Sequence, residues 1–403
     1  MALAYEDIYQ LVDGTLDRGL PYVCTYIEKL LGRPIIITDC DGLIHYPNLP
    51  LSAMDLDESF VTLPNLEKKE YLYSQKNNCL YYSIPCNDSQ AFIIVKNLPT
   101  TKVSITLITL KQVKLAIKCY FSKLYQTNKN LAFFEQEMYE YLIGRKNANI
   151  TDILTLANYH LPAETPYYAI AMLVHDIKSP EQKKALLSYS REYLKYIASD
   201  AFLVSGPRFH FFILPAETKT LNIESLNNTL KNNYKVALSF GQSTPHPLAD
   251  LRRSCDEARI ALYYPQVMGI QTEMQSFADL GNFIFLFSQD IETVKQFCWH
   301  TLQPLLNYDK KYENVLLRTL TELVNSNFNL KETAQHLFIH INTLYYRINK
   351  IEQLLDTDLS LMSTRVNLFT ALKAWNLLHL SGFWDDSSDS ISDAPLLFHY
   401  MTK

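Results

Sequence analysis

The sequence predicts a multidomain α+β protein that ends in an all-helical region. The chain has 403 residues, and at roughly 100–200 residues per domain this length predicts two to four domains, each with its own core. Apolar runs separated by turn residues indicate strands in residues 34–95 and again in 167–240, whereas residues 285–380 carry helical apolar spacing throughout. Two mixed regions followed by a helical one are typical of the α+β class.

The composition excludes several functional classes. Hydrophobic residues make up 48% of the chain and charged residues 20%, which is typical of folded domains. Glycine occurs only 10 times, and neither G-x-x-x-x-G-K nor G-x-G-x-x-G is present, so the glycine-rich phosphate loops are excluded. The net charge of −5 does not predict a nucleic-acid binder from bulk composition. Any such activity must therefore lie in a local segment.

Cysteine usage and the apolar runs predict a cytoplasmic protein. The seven cysteines include no C-x-x-C pair, and their odd number favours reduced thiols over a disulfide framework or a zinc site. The first residues carry acids where a signal peptide has bases, and no uncharged apolar run approaches the ~20 residues of a membrane span. We therefore expect no membrane segment, no cofactor and no structural metal.

The pattern of apolar and turn residues within 1–100 predicts a helix followed by two hairpins. The helical spacing covers Glu6–Leu31, and two apolar runs then flank an Asp-Gly turn within residues 34–46. A second pair of apolar runs lies within residues 79–95, around a polar turn at 87–89. A helix with antiparallel hairpins resembles the small sensor domains of the PAS/GAF type, and this resemblance implies a ligand-sensing role.

Residues 101–149 predict a long helix. Five residues repeat every seven positions, namely Leu110, Ile117, Leu124, Leu131 and Met138, and four of them have an apolar residue three positions later. This spacing is typical of a coiled-coil seam between two subunits, and equally of a core helix with a wide apolar face. The polar segment 126–130 is a candidate break that would divide the helix in two.

Residues 150–284 alternate strands and helices. Strands are indicated at 167–174, 201–204, 209–214 and 234–240, with helices at 180–198, before the last of these strands and at 247–264. The resulting order, βαββαβα, predicts a palm-like sheet with helices on one face.

Residues 285–382 predict helices, and among them a helix-turn-helix. Asn329 is a favourable N-cap for a short helix over Leu330–Leu337, and Glu332 completes a capping-box pattern. A tight connection then leads into a longer helix over Ile341–Leu355. A short helix, a tight turn and a second helix with a polar outer face define a helix-turn-helix.

The helix over Ile341–Leu355 has two distinct faces. Four apolar residues lie within roughly 60° of each other and must face the core; they are Leu344, Ile348, Ile351 and Leu355. The opposite face carries Asn342, Tyr346, Asn349, Lys350 and Gln353, with Thr343 and Arg347 on a flank. Such side chains can pair with adenine edges, guanine or phosphate. However, eight basic residues between Lys310 and Lys373 oppose six acidic ones, so spacing alone favours a DNA reader and a plain helical bundle equally.

The segment Asn329–Glu352, NLKETAQHLFIHINTLYYRINKIE, resembles the C-terminal helix-turn-helix of the PucR/CdaR family of bacterial transcriptional regulators. It follows the family pattern L-x-x-T-A-x-x-L-F-I-H-x-N-T-L-x-Y-R-L-x-x-I-E almost position by position. The departures are Ile341 and Tyr345, where family members often carry basic residues. Ile341 can contact a thymine methyl group instead, and the missing charges predict weaker non-specific affinity.

Residues 150–284 resemble the same family's degenerate relative of the diguanylate cyclase (GGDEF) palm. Leu251–Leu262 is similar to the helix that follows the sheet in that family. The cyclase motif would fall on Ser205–Phe209, where Pro207 and Arg208 replace the acids that hold metal and perform catalysis. The resemblance therefore implies that the chain is not an enzyme and that this domain serves packing or dimerisation.

The resemblance implies a metabolite-responsive, DNA-binding regulator of a catabolic or nitrogen-related operon. The implied partners are a double-stranded DNA operator, a small-molecule effector and a second copy of the chain, in a homodimer or a higher homo-oligomer. The expected DNA-contacting residues are Lys331, Thr333, His340, Ile341, Asn342, Thr343, Tyr346, Arg347 and Lys350. The alternative is a catalytically inert signalling or interaction protein of nucleotide-cyclase ancestry.

Two remaining features have simpler interpretations. His336 and His340 have the i, i+4 spacing of a helical metal site, but the predicted turn lies between them, so we expect no metal there. Residues 383–403 are acidic and rich in serine, which predicts a mobile tail.

Overall fold

The computed structural model describes residues 5–48, 56–66, 69–86, 89–156, 161–218, 223–310 and 315–384. The chain divides into two compact units, Met1–Pro166 with Leu173–Leu238, and Tyr167–Met172 with Ser239–Lys403. Both contain helices and strands, which confirms the mixed α and β class. Most of the predicted turn at 87–89, and the predicted tail from residue 385 onward, lie outside the described residues.

Two helices, α1 (Tyr5–Arg18) and α2 (Leu20–Leu31), begin the first unit. Gly19 separates them with a φ of +79°, a left-handed value that glycine adopts without strain. Pro21, in the first turn of α2, lacks the N–H that a continuous helix would need. The helical stretch predicted over Glu6–Leu31 is therefore divided into two helices at Gly19.

An antiparallel five-stranded sheet follows, in the order β2-β1-β5-β4-β3. Its strands are β1 (Ile35–Asp39), β2 (Ile44–Tyr46), β3 (Tyr71–Ser74), β4 (Cys79–Cys86) and β5 (Ser89–Val95), with helix α3 (Leu56–Ser59) between β2 and β3. Ile37 lies opposite Ile93, and both pack in one core with Leu80, Tyr82 and Ile84. Both predicted hairpins are confirmed, while the edge strand β3 is an addition.

A single helix, α4 (Val103–Leu142), runs for 40 residues and passes through the polar segment 126–130. The predicted break there is wrong, because this segment contains neither glycine nor proline to interrupt the backbone hydrogen bonds. Local side-chain bonds also support the helix: Gln126 donates to Asn130 over 3.2 Å, and the Thr127 hydroxyl donates to the Lys123 carbonyl over 2.9 Å.

The predicted heptad face of α4 is largely buried within the chain. Leu110, Val113 and Ile117 belong to the core that α1, α2 and the first sheet form. Further along the helix, Met138 and Tyr141 are also buried. This face therefore matches the core-helix alternative, and Leu110 and Ile117 are not available to a second subunit.

The second sheet has the order β11-β9-β6-β8-β7, and β10 pairs with β6. The elements of this region are α5 (Ile150–Leu156), β6 (Pro166–His175), α6 (Pro180–Ile197), β7 (Phe202–Ser205), β8 (His210–Pro215), α7 (Ile223–Tyr234), β9 (Ala237–Gln242), β10 (His246–Pro247), α8 (Leu251–Met268) and β11 (Met274–Ser276). The predicted βαββαβα order is confirmed, with the short strands β10 and β11 added. A Cβ at Gly241 would lie 2.2 Å from the Ala258 carbonyl oxygen, so only glycine lets α8 pack this close to β9.

The C-terminal region is helical, as predicted. Its helices are α9 (Phe283–Phe287), α10 (Ile291–Asp309), α11 (Val315–Asn325), α12 (Leu330–His336), α13 (Ile341–Leu355) and α14 (Met362–Leu380). Helix α14 packs against α8 and α10, which buries Leu372 and Leu377 completely or nearly so. Among the described residues, no helix combines the length and hydropathy that crossing a membrane requires.

Candidate nucleic-acid interface

The buried carboxylate of Asp309 fixes the start of α11. Its two oxygens accept hydrogen bonds from the backbone N–H groups of Leu316 (3.1 Å) and Leu317 (2.6 Å), which satisfies donors that a helix N-terminus otherwise leaves unpaired. Burial raises the pKa of Asp309, and these two hydrogen bonds oppose that effect. The α10–α11 connection therefore holds the first helix of the site in a defined position.

Helix α12 begins as the sequence predicts. The Asn329 side chain accepts from the backbone N–H groups of Lys331 (3.1 Å) and Glu332 (3.3 Å), so the N-cap is confirmed. The reciprocal half of the capping box is not formed, because the Asn329 N–H donates to the Ser326 carbonyl. Ala334 is 6% exposed and lets α12 and α13 approach closely.

A tight turn joins α12 to α13. Phe338 has a φ of +55° and its N–H donates to the Gln335 carbonyl, while the Ile339 N–H donates to the Ala334 carbonyl. The His340 ring then accepts from the Asn342 N–H over 3.2 Å and caps α13. The geometry is that of a helix-turn-helix, with Phe338 at the tip of the turn and 92% exposed.

Helix α13 has the two predicted faces. Leu344, Ile348 and Ile351 are buried, and the helix packs against α10, α11 and α12. Leu355 is only half-buried, because it lies in the last turn before the left-handed Asp356 ends the helix. The outward face exposes Asn342, Thr343, Tyr345, Tyr346, Asn349 and Gln353. A hydrogen-bonding surface therefore faces solvent along the whole helix.

The structure corrects one of the predicted contact residues and gives another a contact within the helical bundle. Thr333 is completely buried, and its hydroxyl donates to the Asn329 carbonyl over 2.7 Å, so it faces the bundle and not a ligand. Arg347 is half-buried and donates to the Thr319 hydroxyl over 3.2 Å, which ties α13 to α11. Burial, reinforced by nearby Arg318, lowers the pKa of the Arg347 guanidinium.

The remaining predicted residues lie at the surface. Lys331, His340, Asn342, Thr343 and Tyr346 are exposed. Ile341 is half-buried at the start of α13. Lys350 is also half-buried, with its ammonium 5.5 Å from the centre of the Tyr308 ring.

Sequence reasoning missed two aromatic residues beside this surface. Phe338 and Tyr345, which is 49% exposed, line a shallow groove between α12 and α13. The sequence signal for Phe338 was its place in the predicted tight connection between the two helices.

The two histidines considered for a metal site have different partners. His336 Nδ1 lies 2.6 Å from Glu322 Oε1, whereas His340 caps α13. Within the described part of the chain, no group of three or more His, Cys, Asp or Glu side chains is placed to hold a metal ion.

Hydrogen bonds within the β7–β8 hairpin hold the turn at which the cyclase motif would fall. Ser205 Oγ lies 3.1 Å from His210 Nδ1, and the Gly206 N–H donates to the Phe209 carbonyl. Burial lowers the pKa of His210 to about 3, so this ring is neutral at ordinary pH. A Cβ at Gly206 would lie 1.9 Å from the Tyr139 ring, so α4 packs directly on the hairpin turn.

Helices α11, α12 and α13, together with the outward polar face of α13, define the class of protein as a helix-turn-helix protein. Residues 316–374 match the family described as the PucR C-terminal helix-turn-helix domain. This match assigns the helix-turn-helix of residues 316–374 to the PucR type, and the curated relatives that the chain resembles are regulators of transcription or catabolism.

Three curated relatives come from Bacillus subtilis (strain 168). The DNA-binding transcriptional activator AdeR is 26% identical over 156 residues, 37% of this chain and 36% of that protein. The purine catabolism regulatory protein is 28% identical over 159 residues, 39% of this chain and 29% of that protein. The proline-responsive transcriptional activator PutR is 31% identical over 141 residues, 34% of each chain. The matches thus span about a third of each relative.

A solved structure, a regulator of polyketide synthase expression from Bifidobacterium adolescentis, aligns with 60% of this chain and 91% of its own, at 15% identity and a TM-score of 0.28.

Proposed function

We propose that the protein is a DNA-binding regulator of transcription that controls a catabolic operon. The observation that carries this proposal is the polar face that α13 presents to solvent within a PucR-type helix-turn-helix. The names of the relatives, two transcriptional activators and a regulator of purine catabolism, support the same function.

In this proposal the N-terminal half of α13 enters the major groove. Asn342, Thr343 and Tyr346 are exposed there and supply amide and hydroxyl groups for base edges. Lys331, at the start of α12, and Lys350, farther along α13, contact phosphates. Ile341 offers an apolar contact to a thymine methyl group.

Two predicted contacts take supporting roles. His340 holds the first turn of α13 by accepting the Asn342 N–H, and Arg347 fixes the angle between α13 and α11 through Thr319. Because Thr333 is buried, we leave it out of the interface. We propose further that the protein acts as a dimer in the cytoplasm and that the palm-like region, with Pro207 and Arg208 in its hairpin, has no catalytic activity.

Replacing Lys331 with alanine is expected to weaken binding equally for all DNA sequences. Loss of one phosphate contact removes one counterion-release event, so the slope of log K against log salt should become shallower by roughly one. Fluorescence anisotropy measures this slope at salt concentrations from roughly 50 to 200 mM, a range over which DNA affinity falls steeply. Lys129→Ala, an exposed lysine on α4, is the matched control and should leave the slope unchanged.

The proposed effector site is a cavity of about 700 Å³ beside the first sheet. Its lining residues are Cys40, Leu63, Pro64, Asn65, Leu66, Lys69, Glu70, Ser83, Pro85, Gln90, Phe92 and Lys114. Glu70 accepts hydrogen bonds from Tyr82 and Lys114, both at 2.9 Å, and these bonds lower the pKa of the Glu70 carboxyl. Charges of both signs beside neutral amides suit a small polar metabolite that carries its own charge.

L-Proline and hypoxanthine are suitable probes, since two relatives are named for proline and for purines. A probe that occupies the cavity at 100 times its Kd should stabilise the folded protein by about 2.7 kcal/mol, which a thermal shift detects. Gln90→Trp places a bulky ring at the exposed rim and should abolish the shift without changing the melting temperature of the free protein. A shift that survives this substitution would contradict the assignment of the cavity.

A further inference from the structure

The turn that ends α12 places Phe338 in a backbone conformation that is typical of glycine. Its φ is +55°, and its N–H donates to the Gln335 carbonyl over 3.0 Å. The next N–H, of Ile339, donates to the Ala334 carbonyl over 3.0 Å, which completes a Schellman motif. Glycine is the usual residue at this position, because a Cβ crowds the carbonyl oxygen that follows it in a left-handed conformation. Phenylalanine at residue 338 therefore strains the backbone.

The Phe338 ring does not offset this strain by packing. It is 92% exposed, the largest exposure among the large hydrophobic side chains of the described ranges. Folding therefore removes almost none of its apolar surface from water. Backbone strain of this kind is concentrated at sites that bind a ligand, which indicates a role for Phe338 outside the stability of the fold.

Phe338 borders the groove between α12 and α13, and this groove continues onto the outward face of α13. Ile341 and Tyr345, about one helical turn apart, line its α13 side. At 100° per residue, Tyr345 lies roughly 60° around the helix from Asn342. Lys331 supplies a positive charge on the α12 side, and none of the residues that line the groove is acidic. The charge of the groove therefore suits a polyanion, and its position joins it to the proposed DNA-contacting face.

We propose that the aromatic pair, Phe338 and Tyr345, contacts the C5-methyl groups of thymines in the major groove of DNA. In a helix-turn-helix, the first helix crosses the phosphate backbone and the second enters the major groove, so the turn between them lies beside the wall of that groove. The thymine methyl is the apolar group that the major groove presents, and phenylalanine is among the side chains that contact it. The aromatic pair would thus select for thymines beside the base pairs that Asn342 reads.

This inference rests on the proposed function and adds a determinant of sequence specificity to it. The two can fail separately, because the binding of the unaltered chain is measured first. If the full chain selects no sequence from a pool of random duplexes, the proposed function is refuted and the inference with it. If the chain selects a duplex and removal of the aromatic pair leaves its affinity unchanged, only the inference is refuted.

Phe338→Gly separates DNA binding from stability. Loss of the ring should weaken binding to the selected duplex about tenfold, which fluorescence anisotropy measures. The melting temperature of the free protein should not fall, since glycine relieves the left-handed strain. Phe338→Tyr keeps the ring and should retain the affinity, and Phe285→Ala, at a 76% exposed position on α9, is the control that should leave it unchanged. An unchanged affinity for Phe338→Gly, or a loss that Phe338→Tyr shares, would overturn the proposal.

Deoxyuridine identifies the group that the aromatic pair contacts. Replacing every thymine of the selected duplex with deoxyuridine removes the C5-methyl groups and keeps the base pairing. The unaltered chain should lose affinity on this duplex, and the loss should be about fourfold smaller, for each methyl contact removed, in the protein with Phe338→Gly and Tyr345→Ala. The loss that remains in this variant belongs to Ile341. Equal losses for both proteins would show no coupling between the aromatic pair and the methyl groups, and would overturn the assignment.

Discussion

Replacing Asn342 with alanine is expected to reduce sequence-specific DNA binding about 10- to 100-fold. A bidentate amide–adenine pair contributes about 1–3 kcal/mol of discrimination, and Asn342 is exposed in the first turn of α13, where recognition helices contact base edges. The measurement compares binding to a duplex from upstream of the protein's own coding region with binding to a scrambled duplex. We expect the ratio of the two affinities to fall, with little change in affinity for the scrambled duplex.

Gln353 provides the matched control for Asn342. It carries the same amide group on the same exposed face, eleven residues and about 16 Å further along α13. If only the N-terminal half of the helix enters the groove, Gln353→Ala should change the affinity ratio less than about twofold. Equal losses on both duplexes for Asn342→Ala, or a larger effect at Gln353, would contradict the proposed docking.

The sequence predicted the architecture of the helix-turn-helix better than the directions of its side chains. Helical spacing identified Leu344 and Ile348 as core residues, and Asn329 as an N-cap, because these roles depend on local geometry. Thr333 and Arg347 also belong to the motif, but their orientation depends on bonds to the Asn329 carbonyl and to Thr319. A motif fixes residue types, whereas tertiary contacts decide which of them reach a ligand.

Helix α4 illustrates a second limit of sequence patterns. Its heptad repeat at Leu110 and Ile117 was compatible with a subunit seam and with a core helix, and the structure uses it for the core. The break at Gly19, by contrast, was readable from a glycine followed closely by proline.

A buried arginine joins α8 to the end of α14. The Arg259 side chain is 2% exposed and pairs with Asp256 on the same helix. Its guanidinium also donates to the Ser381 carbonyl over 3.1 Å and lies 4.1 Å from the centre of the Phe383 ring. Burial raises the pKa of Asp256, and Arg259 opposes that rise. Each partner therefore offsets the cost of burying the other.

Replacing Arg259 with methionine is expected to destabilise the second unit by about 3–5 kcal/mol. The apolar side chain is of similar length but leaves the Asp256 carboxylate, whose side chain is only 20% exposed, without its ion-pair partner. Urea unfolding followed by tryptophan fluorescence measures this loss, since the chain's three tryptophans, Trp299, Trp375 and Trp384, all lie in the second unit. Gln266→Met, at an exposed position on α8, is the control and should cost less than about 1 kcal/mol.

The pH dependence of the Arg259→Met protein distinguishes a lost ion pair from lost packing. Without Arg259, the pKa of the half-buried Asp256 should rise further above its unfolded value, so the folded state binds the proton more tightly than the unfolded chain. The penalty is then present at neutral pH and decreases as the pH falls toward the unfolded pKa, near 4. Adding Asp256→Asn should recover much of the stability at neutral pH and abolish this dependence. A loss that is independent of pH, and that Asp256→Asn does not relieve, would assign the effect to packing alone.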